Sequence, residues 1–199
     1  LTLPMKLSSS FLTGSAVLLC SAVATAQSYT PIPGDAYSAS DVTPDGEIVV
    51  GSGPGGGYYW RRNVDALPTY IGGRSAVAVS DDGSIIAGRI EDPVSGRDLA
   101  ARWTQATGWV SLNAEFSTAS CGGALSSVND MSGDGSIITG LTWLNSCDSH
   151  AYVWIEGQGV KVMEQLGNGY NNSRSIAADG SIVVGFAQGN SARTLATWD

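Results

Sequence analysis

Histidine occurs once in 199 residues, cysteine three times, and the four charged types together make up only 14%. With His150 alone and no Cys-x-x-Cys pair, no donor set has metal-site spacing, so no metal and no cofactor is expected. Basic residues are scarce: 10 Lys and Arg against 18 Asp and Glu give a net charge of −8, which disfavours a nucleic-acid partner. Beyond the N-terminal segment no window repeats apolar residues at i, i+3, i+4 and i+7 over ten positions, which excludes a solenoid of helix pairs. There is no Gly-x-Ser-x-Gly elbow. The glycine run Gly53 to Gly57 leads into a strand rather than a helix, so it is not a phosphate loop.

What is present is repetition. The stretch SAVAVSDDGSIIAGRI, from Ser75, has looser copies from Ser38, Ser127 and Asn172. Each carries an Asp-Gly pair, at Asp45-Gly46, Asp82-Gly83, Asp134-Gly135 and Asp179-Gly180, with a second glycine five residues beyond the first. Two β-rich runs around Asp-Gly read as a hairpin, and Pro44 in the first copy points to a type I turn closed by a left-handed glycine. A third run in each unit ends in tryptophan, at Trp60, Trp103, Trp154 and Trp198, and a fourth follows in two units, from Thr104 and from Ile155. Four strands per unit, at Asp-to-Asp spacings of 37, 52 and 45, match propeller blades. The expected fold is all-β and propeller-like, with four repeats of about four antiparallel strands.

Residues 1–26 read as a helical signal segment: Met5-Lys6, an apolar stretch from Phe11 to Val23, then Ala24-Thr25-Ala26, with residues 1–4 upstream of the start. Cleavage before Gln27 leaves a single repeat domain, 27–199, with no membrane span and an extracytoplasmic address. Leu19 ahead of Cys20 argues against a lipid-anchoring signal. Loss of Lys6 takes the net charge to −9, which reads as solubility. Of the two remaining cysteines, an antiparallel register with Ser132 facing Ser136 brings Cys121 opposite Cys147, and an oxidising compartment would let them form a disulfide.

The recurring Val-Ser-x-Asp-Gly-Ser-x-Ile-x-Gly followed by Ala-x-x-Trp resembles the HAF-repeat family of exported bacterial proteins. His150-Ala151-Tyr152-Val153-Trp154 is similar to its His-Ala-Phe signature; Leu99 to Trp103 and Leu195 to Trp198 fill the same slot, and Gly72-Gly73 and Gly122-Gly123 match its Gly-Gly step. The resemblance implies a propeller-like β architecture outside the cytoplasm, sometimes as an autotransporter passenger, and no catalytic residues. The chain shows no C-terminal barrel, so a truncated passenger fragment is one alternative.

Tyr29 to Gly34 reads as the last strand of a blade, which the fourth unit lacks, so it is expected to complete that blade and close a four-bladed ring. The turn aspartates are expected to bond their own turns rather than hold calcium, one carboxylate per turn being too few. The four slot tryptophans are expected to pack between blades; Trp109, Trp143, Tyr58 and Tyr59 are the better candidates for a ligand. Asp148, Ser149 and His150 spell a triad only in letters, since a triad is a spatial constellation. The loop acids Glu91, Asp92 and Asp98 are read as solvated rather than as a glycosidase pair. Long, variable links at 52–57, 91–98, 144–150 and 187–191 share one face with the inter-blade links, and variable loops on a rigid scaffold are where binding sits. The expected function is a non-enzymatic binding module for a protein or glycan at that face; the alternative is a propeller-type glycosidase or lyase.

Overall fold

Every described element is a β-strand, and the strands fall into four antiparallel sheets that follow the four sequence units. The structure, a computed structural model, describes residues 29–115, 124–144, 148–166, 169–189 and 192–199. The signal segment and both cysteines, Cys121 and Cys147, lie outside these residues. Residues 32–199 form one unit.

The first sheet holds β1 (Ser38–Val42), β2 (Ile48–Gly53), β3 (Gly56–Arg61) and β4 (Thr69–Gly72). The second holds β5 (Ser75–Val79), β6 (Ile85–Glu91), β7 (Asp98–Thr104) and β8 (Gly108–Ser111), and the third β9 (Ser126–Met131), β10 (Ile137–Trp143), β11 (Ser149–Ile155) and β12 (Gly159–Val162). The fourth has three strands, β13 (Asn171–Ile176), β14 (Val183–Gln188) and β15 (Arg193–Trp198). In each sheet the strands run in chain order. Repetition with a period of about 40 residues is thus enough to set both the number of sheets and their internal order.

The first strand of each later sheet packs on the sheet before it: β5 on β1 to β3, β9 on β5 to β7, β13 on β9 to β11. Because apolar residues occupy both faces of the middle strands, the first two joints each hold a core of their own. Val50, Ala76, Val79 and Ile86 fill the first joint. Ala87, Ala100, Met131, Ile138 and Tyr152 fill the second.

The expected ring does not form: packing runs from first to fourth sheet and does not return. Tyr29 to Gly34 is not a strand, and β15 stays an unpaired edge. The end of that segment lies on the first sheet instead. Tyr70 donates to Asp35 (2.6 Å), and Gly34 lies against Leu67 and Pro68. The carboxylate beside it raises the Tyr70 hydroxyl to a pKa of about 12.

Candidate functional site

The two ends of the sheets differ in chemistry. At one end lie the four Asp-Gly turns, built alike. Gly46, Gly83, Gly135 and Gly180 have φ of 72–74°, and the N–H of each donates to the carbonyl three residues earlier, on Thr43, Ser80, Ser132 and Ala177. The Asp82 carboxylate accepts from the Ser84 N–H and hydroxyl and from the Ser80 hydroxyl; Asp134 does the same with Ser136 and Ser132. Asp45 accepts from the Glu47 N–H and the Thr43 hydroxyl, and Asp179 from Ser181. These bonds hold all four carboxyls below their ordinary range. Each turn thus engages at least one oxygen of its own aspartate. Among the described residues no three His, Cys, Asp or Glu side chains gather as a metal site.

At the other end lie the variable links. The three loop acids seen in the sequence are drawn into ion pairs and a turn: Arg74 reaches Glu91 (2.7 Å) and Asp98 (3.3 Å), Arg89 reaches Asp98 (3.2 Å), and Asp92 accepts from Ser95. Glu91 and Asp98 are thus bridged by one guanidinium rather than facing each other across an open cleft. His150 sits on β11 opposite Thr142, in contact with the Gln165 amide, and burial lowers its pKa. The Ser149 hydroxyl donates to the Asn171 carbonyl (3.4 Å).

The links are stitched to the preceding sheet by buried polar groups. The Ala100 N–H donates to the Ser126 hydroxyl (2.9 Å), and the Ala151 N–H to Asn171 Oδ1 (2.6 Å), while Asn171 Nδ2 donates to the Glu164 carbonyl (2.7 Å). Ser126 and Asn171 are wholly buried. Ala100 and Ala151 are the alanines of the two Ala-x-x-Trp slots; their small side chains let the next link come close enough to accept that N–H. Sequence reasoning passed over Ser126 and Asn171, because a polar residue that opens a strand looks like ordinary loop.

The slot tryptophans face the preceding sheet. Trp103 packs on Tyr59 of the first sheet (6.0 Å between centroids), Trp154 lies beneath Arg102 of the second (5.8 Å), and Trp198 Nε1 donates to the Glu164 carbonyl (3.2 Å). Trp60, in the first described sheet, donates to the Asp65 carbonyl (3.0 Å). Of the aromatics singled out for a ligand, Tyr58 is wholly buried and Trp109 spans the first joint, its Nε1 donating to the Ile71 carbonyl (2.9 Å). Shallow clefts of about 200 Å³ open between neighbouring sheets, one lined by Ile48, Tyr59, Arg61 and Trp103, another by Arg102, Val110, Leu112 and Trp154.

An open row of propeller-type sheets is the class of protein these features define. Among solved structures the chain is similar to TolB from Agrobacterium tumefaciens, at 16% identity and a TM-score of 0.59, over 84% of this chain and 58% of that one. It is similar also to TolB from Acinetobacter baumannii, at 15% identity and a TM-score of 0.58, over 82% of this chain and 40% of that one. The chain therefore spans about half the length of the structures it matches. These likenesses show the β-propeller fold. No protein-family model matches the chain, and no curated protein does.

Proposed function

We propose that this chain is an exported, non-enzymatic β-propeller module that recognises a protein or glycan through its variable links, and that it is a HAF-repeat protein. The observation that carries the reading is the contrast between its two ends. In all four turns the Asp carboxylate accepts the N–H two residues on, whereas the opposite connections differ in length and composition on a common scaffold. The loop carboxylates best placed for hydrolysis are held in ion pairs with Arg74 and Arg89, which supports a role without catalysis. Among the described residues no helix is long and apolar enough to span a membrane.

Screening the purified chain against a glycan array and polysaccharide substrates tests the reading. Binding that is lost on exchanging the 91–98 link, with no turnover, is the expected result. Turnover abolished by Glu91→Gln or Asp98→Asn would replace it with the glycosidase alternative. Export is checked separately: the mature protein is expected to begin at Gln27 on N-terminal sequencing.

A further inference from the structure

Three devices join the second sheet to the third, and the residues that would make them recur on the outer face of the fourth sheet. The first is the isoleucine after the turn. Ile48, Ile85 and Ile137 lie against the turn glycines of the following sheets, Gly83, Gly135 and Gly180. Ile182 continues that series and is 44% exposed. The second is a backbone ladder between turns: the Asp81 N–H donates to the Gly133 carbonyl (2.7 Å), and the Gly133 N–H to the Ala178 carbonyl (2.8 Å). Ala178 ends that ladder and is exposed. The third is a β-bulge at one position in every first strand. In the second and third sheets its extra residue reaches the next sheet, Val77 into the core of the second joint and Asn129 Nδ2 to the Ser173 carbonyl, whereas Ser40 of the first is exposed. In the fourth sheet that residue is Arg174, which is exposed, and beside it Val184 and the 91% exposed Leu195 line a groove of about 400 Å³.

The sheets also alternate, and the alternation points to what fits that face. The first and third carry Asp41 and Asp130, whose Oδ1 accepts the N–H of the next residue, Val42 or Met131, and whose Oδ2 accepts from Val79 or Ile176 of the following sheet. They also carry Tyr58 and Tyr152, whose hydroxyls donate to the Ser38 and Ser127 carbonyls. The second and fourth have Ala78 and Ser175 in the first place and Ala101 and Ala196 in the second. An even sheet is thus followed by an odd one that caps its own N–H. The first sheet meets this description: Val42 is capped by Asp41 and 49% exposed, Pro44 keeps the carbonyl that the ladder needs, and a side chain built at Gly46 would meet only Arg62 within 4 Å.

We propose that the outer face of the fourth sheet docks the first sheet of a second copy of this chain, head to tail, repeating the joint between the second and third sheets. Such a contact uses two different faces, so a pair of copies still has one of each free.

Sedimentation velocity of the purified chain over a concentration series reads this out. Self-association is expected, with Leu195→Asp and Val42→Asp each monomeric and unchanged in far-UV circular dichroism. An equimolar mixture of the two variants is expected to form a heterodimer and nothing larger, because one intact face of each kind remains. Arg174→Glu and Val42→Lys serve if either first variant fails to fold. A wild-type chain that stays monomeric throughout would overturn the proposal. So would a Val42→Asp variant that assembles as well as the wild type, which would mean that two fourth sheets pair with each other, or a variant mixture that stays monomeric.

Discussion

A Cβ on Gly140 would overlap the Ser127 carbonyl, and the space beside that glycine is filled by the Tyr152 hydroxyl, which donates to the same carbonyl at 3.0 Å. Gly51 and Tyr58 make the same pair in the first sheet. In the second sheet, where the tyrosine slot is Ala101, the Trp109 ring covers Gly88 instead. Backbone cannot move aside as a flexible side chain can, so Gly140→Ala is expected to cost more than ~3 kcal/mol or to prevent folding, read by urea denaturation. Tyr152→Phe removes one hydrogen bond and leaves the packing, so a loss of about 1 kcal/mol is expected in the same assay. The turn aspartates add a dependence on pH. The backbone N–H of Ser84 and the hydroxyls of Ser80 and Ser84 favour the ionised Asp82, so its folded pKa lies below the ordinary 3.8. Asp134 is held down chiefly by the Ser136 N–H. A lowered folded pKa means that the contribution is complete above the unfolded value and is lost as pH falls through the folded one. Unfolding midpoints are therefore expected to drop steeply below about pH 4, and an Asp82→Asn, Asp134→Asn double variant is expected to show a flatter profile.

At the scale of elements, the hairpins follow from local chemistry, and the joints between them do not. Asp-Gly with a β-rich run on either side is sufficient to specify the turn and its left-handed glycine. The bulges at Ser40, Val77, Asn129 and Arg174 are invisible in the alternation of apolar residues, because a bulge adds one residue without changing which residue types flank it. One of them alters the cysteine argument. Met131 faces Ile138, one residue away from the assumed register, and the bulge at Asn129 restores it so that Ser126 faces Thr142. β10 ends at Trp143, before Cys147. The proposed Cys121–Cys147 disulfide is checked by intact mass without reductant, expected 2 Da below the reduced chain on the loss of two hydrogens. Asn171 belongs to this scale too, since it binds the link to β11. Asn171→Ala would leave the buried Ala151 N–H unpaired, and a loss of about 2 kcal/mol is expected.

At the scale of the molecule, each sheet touches only its neighbours, so stability is a sum of sheets and joints rather than of one core. Among the described residues the fourth sheet has one joint, three strands and an outer face that none of them covers. Amides of β14 and β15 are expected to exchange with solvent faster than those of β6 and β10, which have sheets on both sides; uniform protection along the chain would contradict this. The sequence by itself determined the number of sheets, the order of strands within them and the turn at each repeat, because these depend on residues close together in the chain. Whether the row closes was decided only in three dimensions. Closure depends on the angle at which one sheet sets the next, and that angle is fixed by bulges, by glycines meeting isoleucines and by a buried asparagine, contacts between residues 20 or more positions apart that no local pattern encodes.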